Sequence, residues 1–219
     1  MPGRQAWRFV SASWQYNTQS LAIDDERFAD LFPSQSFTLQ MVYYYDQIYD
    51  TSENTILMSI NALDSVATSS YNHFLCVIRH NSDDINMVWR NDDYLYNAQS
   101  TPNFNIGEWN HFAVTYDVIS DRSASVTTYM NGEPGSTQTK DRMNSGSLIQ
   151  SMCLGRFRPY PQSGSFWGSN PGGALDTIKI NKGILTSEQI YEEYRRSIAY
   201  PVSASFNTIK GVSDHGLLF

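Results

Sequence analysis

The sequence is short of charged residues, of cysteine and of long apolar segments, and each shortage excludes a class of protein. Charged residues make up 17% of the 219 positions, and the net charge is −7. This balance leaves no basic stripe of the kind that binds nucleic acid. There is no run of about 18 apolar residues, and the first residues lack the apolar centre of a secretory signal. We therefore expect no nucleic-acid partner, no membrane insertion and no signal peptide.

The two cysteines, Cys76 and Cys153, lie in apolar runs that are typical of strands. Buried thiols that act as small hydrophobic side chains are the favoured interpretation. A disulfide between them is the alternative, although nothing in the sequence indicates export to an oxidising compartment. Two cysteines without clustered histidines do not form a zinc site.

Alternation of apolar and polar side chains predicts strands through most of the chain. Hydrophobic residues make up 41% and aromatic residues 14% of the sequence, enough for a substantial core. The clearest alternation runs through residues 36–45, with Phe37 and Leu39 on one face and Thr38 and Gln40 on the other. Further strands are predicted at residues 56–60, 74–79, 86–90, 111–117, 124–130, 136–140, 148–155 and 174–180.

One helix is predicted towards the C-terminal end. Thr186 and Gln189 have the spacing of a capping box, in which each side chain bonds the backbone N–H of the other residue. Pro201 ends the helical pattern. Between the cap and the proline, apolar residues recur at helical spacing, at Ile190, Tyr191, Tyr194 and Ile198.

The segment GEWNHFAVTYD, residues 107–117, contains a Trp, a His, a Tyr and two carboxylates, a set that raises the question of catalysis. Its alternation instead predicts a half-buried strand. A later Asn131-Gly132 pair predicts a tight hairpin turn, because both residues tolerate positive φ. The two faces of the strand have His111, Ala113, Thr115 and Asp117 on one side, and Phe112, Val114 and Tyr116 on the other.

The segments GEWNHFAVTYD, VTTYMNGEP, CLGRF and GGALDTIKINKGILTSEQI follow one another in this order. Together they resemble the laminin-G-like, concanavalin-A-like lectin/glucanase jelly rolls, over residues 7–198. The resemblance implies an all-β fold, an antiparallel two-sheet jelly-roll β-sandwich with one short C-terminal helix. Residues 1–200 would form this domain, and residues 201–219 a tail that packs on the domain or on a partner. The expected core includes Phe37, Leu39, Val114, Tyr116, Leu154 and Ile178.

The resemblance also implies roles for individual polar residues. For His111 a structural role in fixing its strand is favoured over contact with a ligand. Many domains of this kind hold one structural Ca²⁺, which takes six to eight oxygen ligands. Solvated turn carboxylates are the favoured alternative, with Asp176 as a buried hydrogen-bonding residue. The candidate calcium ligands are Asp24, Asp46, Asp50 and Asp176.

Glucanases on this fold place two Glu and an Asp at alternating positions of one strand, so that the carboxyl groups share a face. The sequence has no Glu-X-Asp-X-Glu, no Gly-X-Ser-X-Gly and no phosphate-binding loop. We therefore expect no catalytic residues, no enzymatic activity and no cofactor apart from the calcium ion.

Two clusters have the composition of a sugar site, in which aromatic rings lie beside hydrogen-bonding side chains. The first includes Trp89, Arg90 and Tyr94, and for these residues packing in the core is the favoured alternative. The second lies in the Gly- and Pro-rich residues 155–173, a segment long enough to be functional. For this cluster, binding and packing stay equally open; it includes Arg156, Arg158, Tyr160 and Trp167.

These expectations favour a non-catalytic, lectin-like module for recognition or structure. Its partner would be a glycan, a protein surface or other subunits of an assembly. Because the chain starts at Met1 without a signal peptide, a surface component of a virion is favoured, such as a phage decoration, fibre or tail protein. The alternatives are a free soluble carbohydrate-binding lectin domain and a divergent glycan-active enzyme, and the location would otherwise be cytoplasmic.

Overall fold

The computed structural model of the protein describes residues 5–9, 21–24, 35–44, 55–63, 73–79, 85–91, 94–99, 105–143, 148–154, 173–198 and 205–208. Almost all regular structure in these ranges is strand. The elements are β1 (Gln5–Phe9), β2 (Leu21–Asp24), β3 (Phe37–Tyr44), β4 (Thr55–Leu63), β5 (His73–Arg79), β6 (Ile85–Asn91), β7 (Tyr94–Gln99), β8 (Trp109–Val118), β9 (Ser123–Met130), β10 (Glu133–Asp141), β11 (Leu148–Leu154), β12 (Gly173–Lys182), α1 (Ser187–Ile198) and β13 (Ser205–Thr208).

The strands form a seven-stranded sheet, in the order β10-β9-β8-β3-β12-β1-β13, and a six-stranded sheet, in the order β2-β11-β4-β5-β6-β7. Neighbouring strands are antiparallel except β13, which pairs with β1 in parallel. The predicted fold, a mainly antiparallel jelly-roll sandwich with one short helix, is confirmed. The parallel strand was not expected, because residues 205–208 lie in the segment that the sequence suggests is a tail.

The core lies between the two sheets as one cluster of buried side chains. From the seven-stranded sheet come Phe37, Leu39, Val114 and Tyr116, all buried as predicted. Ile178 is only partly buried against the same cluster. The predicted core residue Leu154 ends β11, and its side chain lies outside the described part of the molecule.

Tyr116 joins the two sheets at the centre of this core. Its ring stacks on Phe37 with the centroids 5.1 Å apart and meets the edge of Trp89 at 6.0 Å. The hydroxyl oxygen of Tyr116 accepts the backbone N–H of Met143 at 2.6 Å, so the polar end of the buried ring is satisfied. Burial raises the pKa of Tyr116 to about 12 because it disfavours the phenolate.

Strand β8 is buried on both faces, which corrects the prediction of a half-buried strand. Phe112, Val114 and Tyr116 face the six-stranded sheet. On the opposite face, helix α1 covers the strand through the fully buried Ile190, which packs with Ala113 and Tyr129. The alternation of a strand shows which residues share a face, but it does not show whether a helix covers the second face.

Helix α1 begins with the capping box that its sequence predicts. The backbone N–H of Thr186 donates to Gln189 Oε1 at 2.9 Å, and the backbone N–H of Gln189 donates to Thr186 Oγ1 at 3.2 Å. These two bonds satisfy N–H groups that have no partner within the helix. No helix in the described ranges is long and apolar enough to cross a membrane.

The β9–β10 hairpin turns at Asn131 and Gly132, which have positive φ values of 52° and 82° as predicted. Gly132 also lies directly under helix α1. A Cβ at this position would come within 2.8 Å of the Tyr191 ring and 2.9 Å of the Tyr194 ring. The turn therefore needs glycine for its backbone conformation and for the close approach of the helix.

The two cysteines lie on different strands of the six-stranded sheet, on either side of β4. In the strand register Ser59 pairs with Cys153 on one side and with Cys76 on the other. Two strand spacings put the Cα atoms of the cysteines ~9.5 Å apart. A disulfide needs Cα atoms within about 7 Å, so the register excludes the bond and favours the interpretation as free thiols.

Candidate functional site

The chain passes between the two sheets repeatedly at one end of the sandwich. In the seven-stranded sheet, the ends of β1 and β3 lie beside the starts of β12 and β8, since Phe9 pairs with Gly173 and Tyr44 with Trp109. In the six-stranded sheet, the end of β11 at Leu154 pairs with the start of β2. We call this end of the sandwich the loop rim. The segments that cross between the sheets at this end are residues 10–20, 45–54, 100–108 and 155–172.

An aromatic pair, Tyr44 and Trp109, marks the loop rim on the outer face of the seven-stranded sheet. The two residues are directly opposite each other in the register of β3 and β8. Their ring centroids are 5.4 Å apart with an angle of 56° between the planes. Both side chains are half-buried, so each keeps ring surface in contact with solvent. An exposed pair of this kind can stack against the apolar face of a ligand.

The buried side chain of Asn110 holds the turn that leads into Trp109. Its Oδ1 accepts the backbone N–H of Asn105 at 2.8 Å, and its Nδ2 donates to the carbonyl oxygens of Asn105 and Glu108 at 2.8 and 3.1 Å. Asn131 Nδ2 also donates to Asn110 Oδ1 at 3.2 Å, which joins the turn to the β9–β10 hairpin. Trp109 is thus held on a rigid part of the loop rim rather than on a free loop.

A family model with the description Concanavalin A-like lectin/glucanases superfamily matches residues 15–191. The chain belongs to this superfamily. No curated protein matches the chain in sequence.

Solved structures with the same fold include sugar-binding domains of low sequence identity. The carbohydrate-binding module CBM40 of the Ruminococcus gnavus IT-sialidase, bound to α2,3-sialyllactose, has a TM-score of 0.63 and 12% identity, with coverage of 87% of this chain and 97% of that chain. Botulinum neurotoxin type C, which depends on two ganglioside molecules to get into cells, has a TM-score of 0.60 and 12% identity, with coverage of 83% and 40%. Domain 4 of the Geobacillus stearothermophilus arabinanase AbnA, in complex with arabinotriose, has a TM-score of 0.51 and 19% identity, with coverage of 81% and 73%.

The predicted sugar-binding cluster in the segment between β11 and β12 lies outside the described residues. Its flanking strand ends, Leu154 and Gly173, both lie at the loop rim. The aromatic pair therefore lies at the same end of the sandwich as the two strand ends that flank this segment. The side-chain positions of the four residues stay predictions; they are Arg156, Arg158, Tyr160 and Trp167.

The other predicted cluster lies at the opposite end of the sandwich. Trp89 is fully buried and its Nε1–H donates to the backbone oxygen of Asp141 at 3.0 Å. Its ring is part of the core, so its assignment as a ligand platform is corrected. Arg90 and Tyr94 belong to the hairpin end of β6 and β7, away from the loop rim, and their side chains lie outside the described part of the chain.

The candidate calcium ligands do not come together in the described residues. Asp176 is half-buried at a register shift in β12, whereas Asp24 ends β2 in the other sheet. Asp46 and Asp50 lie in the segment after β3, outside the described ranges, although that segment also starts at the loop rim. No group of three or more His, Cys, Asp or Glu side chains in the described part could hold a metal ion. The calcium ion and its four candidate ligands therefore stay predictions.

His111 is 2% exposed under helix α1, where its ring packs on that of Tyr194 at 6.2 Å. Its Nε2–H donates to Gln40 Oε1 at 3.1 Å. Burial lowers the pKa of His111 to about 4, although the nearby Glu193 carboxylate partly opposes this shift. The imidazole is therefore neutral at physiological pH, and this geometry agrees with the structural role favoured by its sequence context.

Proposed function

We propose that the chain is a non-catalytic carbohydrate-recognition domain that binds a glycan at the loop rim. The observation that carries this proposal is the half-buried Tyr44–Trp109 pair at the loop rim of a sandwich of the lectin superfamily, where the Asn110 network holds Trp109 in place. The match to CBM40 covers nearly the whole of that module, which supports an independent sugar-binding domain.

The chemistry of the loop rim suits a sugar ring. An aromatic side chain can stack on the apolar face of a sugar, while neighbouring polar groups bond its hydroxyls. At this rim the aromatic surface would come from Tyr44 and Trp109. Hydrogen-bonding side chains would come from the adjacent segment between β11 and β12, which contains Arg156 and Arg158.

One observation supports binding without hydrolysis. A glycosidase needs one carboxyl group that stays protonated near neutral pH and a second one across the scissile bond. Glu193, whose carboxylate acts electrostatically on the buried His111, has its pKa lowered instead, mainly by a hydrogen bond from Lys179. It is therefore ionised at neutral pH and unsuited to act as the acid.

The narrower prediction is that the domain is a surface component of an assembly such as a virion. We keep it as a second proposal beside a free carbohydrate-binding domain. Here the domain would present its loop rim to a glycan or a protein while other surfaces contact neighbouring subunits. Size-exclusion chromatography with light scattering separates the two forms, because a free lectin domain is expected to be monomeric and an assembly component to form a stable oligomer.

A glycan array with the full chain, followed by calorimetric titration of the best ligand, tests the proposal. Trp109→Ala should weaken binding about 30-fold, since a central aromatic contact contributes at least ~2 kcal/mol when it is a hot spot. Trp167→Ala tests the neighbouring segment in the same way. Ile119→Ala, an exposed residue at the opposite end, is the matched control and should leave the affinity unchanged.

Two results would contradict the proposal. If the array shows no bound glycan at any concentration that the chain tolerates, carbohydrate recognition is wrong. If a glycan binds but Trp109→Ala and Trp167→Ala both leave its affinity unchanged, with circular dichroism showing folded variants, the loop rim is not the binding surface.

A further inference from the structure

Helix α1 is the element that covers His111 on the outer face of the seven-stranded sheet. The His111 side chain is 2% exposed, and its ring packs on that of Tyr194 with the centroids 6.2 Å apart. A cleft of about 170 Å³ lies beside this contact, and Glu193, Arg196 and Ser197 of the helix form part of its wall. His111 is therefore shielded from solvent by α1 and becomes accessible when the helix moves away.

The docked helix leaves no suitable place for a second proton on His111. The Nε2–H donates to Gln40 Oε1 at 3.1 Å, so the neutral ring has its lone pair at Nδ1. His111 Nδ1 is buried and has no hydrogen-bond partner among the described residues. A proton at Nδ1 would therefore add a buried charge and a buried N–H without an acceptor, and both are unfavourable.

The charges around the ring do not offset this cost. The Glu193 carboxylate would attract a protonated ring, but it already bonds Lys179 Nζ at 2.5 Å and lies 3.6 Å from Arg196 Nη1. Burial lowers the pKa of His111 to about 4; Glu193 opposes this shift, and Lys179 adds to it. The groups that face the ring or lie next to it on the same face are Glu193, Tyr194 and Arg196 from α1, Lys179 from β12, Tyr129 from β9 and the uncharged Gln40 and Asn131.

Helix α1 is attached to the sheet by a small buried contact. Ile190 is the one fully buried side chain among its 12 residues, and Tyr191 beside it is 42% exposed. An isolated helix of this length is marginal in water, so α1 should lose its backbone hydrogen bonds once it leaves the sheet. The main core lies on the other face of the sheet. Opening of α1 alone should therefore need less free energy than unfolding of the sandwich.

We propose that helix α1 is an acid-sensitive cover, which leaves the outer face of the sheet when His111 binds a proton, while the two sheets stay packed. Because Nδ1 is closed off in the docked state, the proton binds in the open state, where the hydrated ring has its ordinary pKa of ~6.5. The docked state is therefore fully favoured above this pH and loses stability as pH falls below it. Release of the helix would expose Ala113, Tyr129 and a positively charged His111 beside the loop rim. The inference does not depend on glycan binding.

Amide hydrogen exchange of the full chain at pH 7 and pH 5, corrected for the intrinsic effect of pH on exchange, tests this inference. The protection of the α1 amides should be lower than that of the β3 and β8 amides at both pH values, because opening of α1 is local. It should also fall about 20-fold from pH 7 to pH 5. This is the ratio for one histidine with a pKa of ~6.5 in the open state and about 4 in the docked state.

His111→Gln removes the titrating group and is the matched variant. Its α1 protection should change by no more than about twofold between the two pH values. The other histidines, His73, His80 and His215, are present in both proteins, so the difference between the proteins reflects His111 alone. Glu193 has its pKa lowered, mainly by the hydrogen bond from Lys179, so it stays ionised at pH 5 and does not add to the effect.

Three results would overturn the inference. If the α1 amides have the same protection as the β8 amides at each pH, the helix opens only when the whole domain unfolds. If α1 exchanges locally but with equal protection at pH 7 and pH 5, its opening does not expose His111. If the 20-fold fall persists in His111→Gln, another group is responsible. The first two results are read on the wild-type chain, so the test stays decisive even if His111→Gln fails to fold.

Discussion

At strands β3 and β8 both faces of the seven-stranded sheet are buried, but by different elements and with different chemistry. On the inner face, Phe112, Val114 and Tyr116 pack against the six-stranded sheet and are fully buried. On the outer face, Gln40 and His111 are buried to nearly the same extent under helix α1, and both are polar. Similar burial thus corresponds to a dense apolar core on the inner face. On the outer face it corresponds to a cleft between helix α1 and the sheet, which Gln40 and His111 line.

This difference shows that two neighbouring layers can bury the same strands to a similar extent without packing on them equally well. Two sheets that pack face to face interdigitate their side chains and leave little space between them. Helix α1 instead contacts the sheet mainly through Ile190, its one fully buried side chain, and a cleft remains beside that contact. The side that is less well packed is therefore the side with unpartnered hydrogen-bonding groups.

The largest effect should come from truncation on the inner face. Phe112→Ala should lower the free energy of unfolding by about 3–5 kcal/mol, because it removes a large buried ring and leaves a cavity. Ile190→Ala, on the face of helix α1 that covers β8, should lower it by about 2 kcal/mol, the lower end of the range for such a change. Denaturant unfolding measures both. Equal losses would contradict the difference in packing between the two faces.

The pH dependence of stability should reflect the burial of His111 on the outer face. Burial lowers the pKa of His111 from 6.5 to about 4, so between these values the unfolded chain binds a proton that the folded chain does not. Stability should therefore fall as pH falls through this window, by about 3 kcal/mol in total and about 2 kcal/mol by pH 5. Above pH 6.5 this contribution should not vary. Unfolding by urea between pH 7 and pH 5 measures the loss.

His111→Gln is the control for this pH effect. Glutamine does not titrate, so the fall between pH 7 and pH 5 should shrink by about 2 kcal/mol. Glu193 and Lys179, the charged side chains that act on His111, remain unchanged in this variant. An unchanged pH profile would show that His111 titrates at its ordinary pKa and that the ring is solvated.

Gly132→Ala should loosen the contact between the hairpin and the helix. A side chain at this position is strained by the φ of 82°, and the new Cβ would lie 2.8 Å from the Tyr191 ring. We expect a loss of about 2 kcal/mol in the free energy of unfolding. Gly107→Ala is the matched control, since it has a φ of 76° but no atom near the added Cβ, and it should cost less.

The smallest effect should come from the helix cap. Thr186→Ala removes the side-chain oxygen that accepts the Gln189 N–H, and it should lower stability by about 1 kcal/mol. Arg195→Ala, in the last turn of the same helix, removes only an exposed ion pair and leaves the capping box intact, so it serves as the control. If both changes have the same effect, the capping box does not stabilise the outer face of the sheet.

Local patterns in the sequence predicted most of the elements. Alternation placed β3 within one residue of its observed ends, Asn131-Gly132 marked the hairpin turn, and Thr186 marked the start of α1. The sequence analysis did not predict β7, because it assigned Tyr94 in this strand to a sugar-binding cluster. It did not predict β13, because this strand lies in residues 201–219, which were expected to form a tail. For the candidate site, Trp109 was noted but its pairing with Tyr44 was not predicted.

The sequence by itself determined the faces of the strands, the turn and the helix cap, because each of these depends on residues a few positions apart, and the order of its motifs indicated the class of fold. Only the tertiary structure decided which face α1 covers, that Cys76 and Cys153 lie on either side of β4, and that Trp89 is in the core. It also decided that Tyr44 meets Trp109 and that Gln40 meets His111. These contacts join residues more than 60 positions apart, and the order in which strands pair within the sheets sets them.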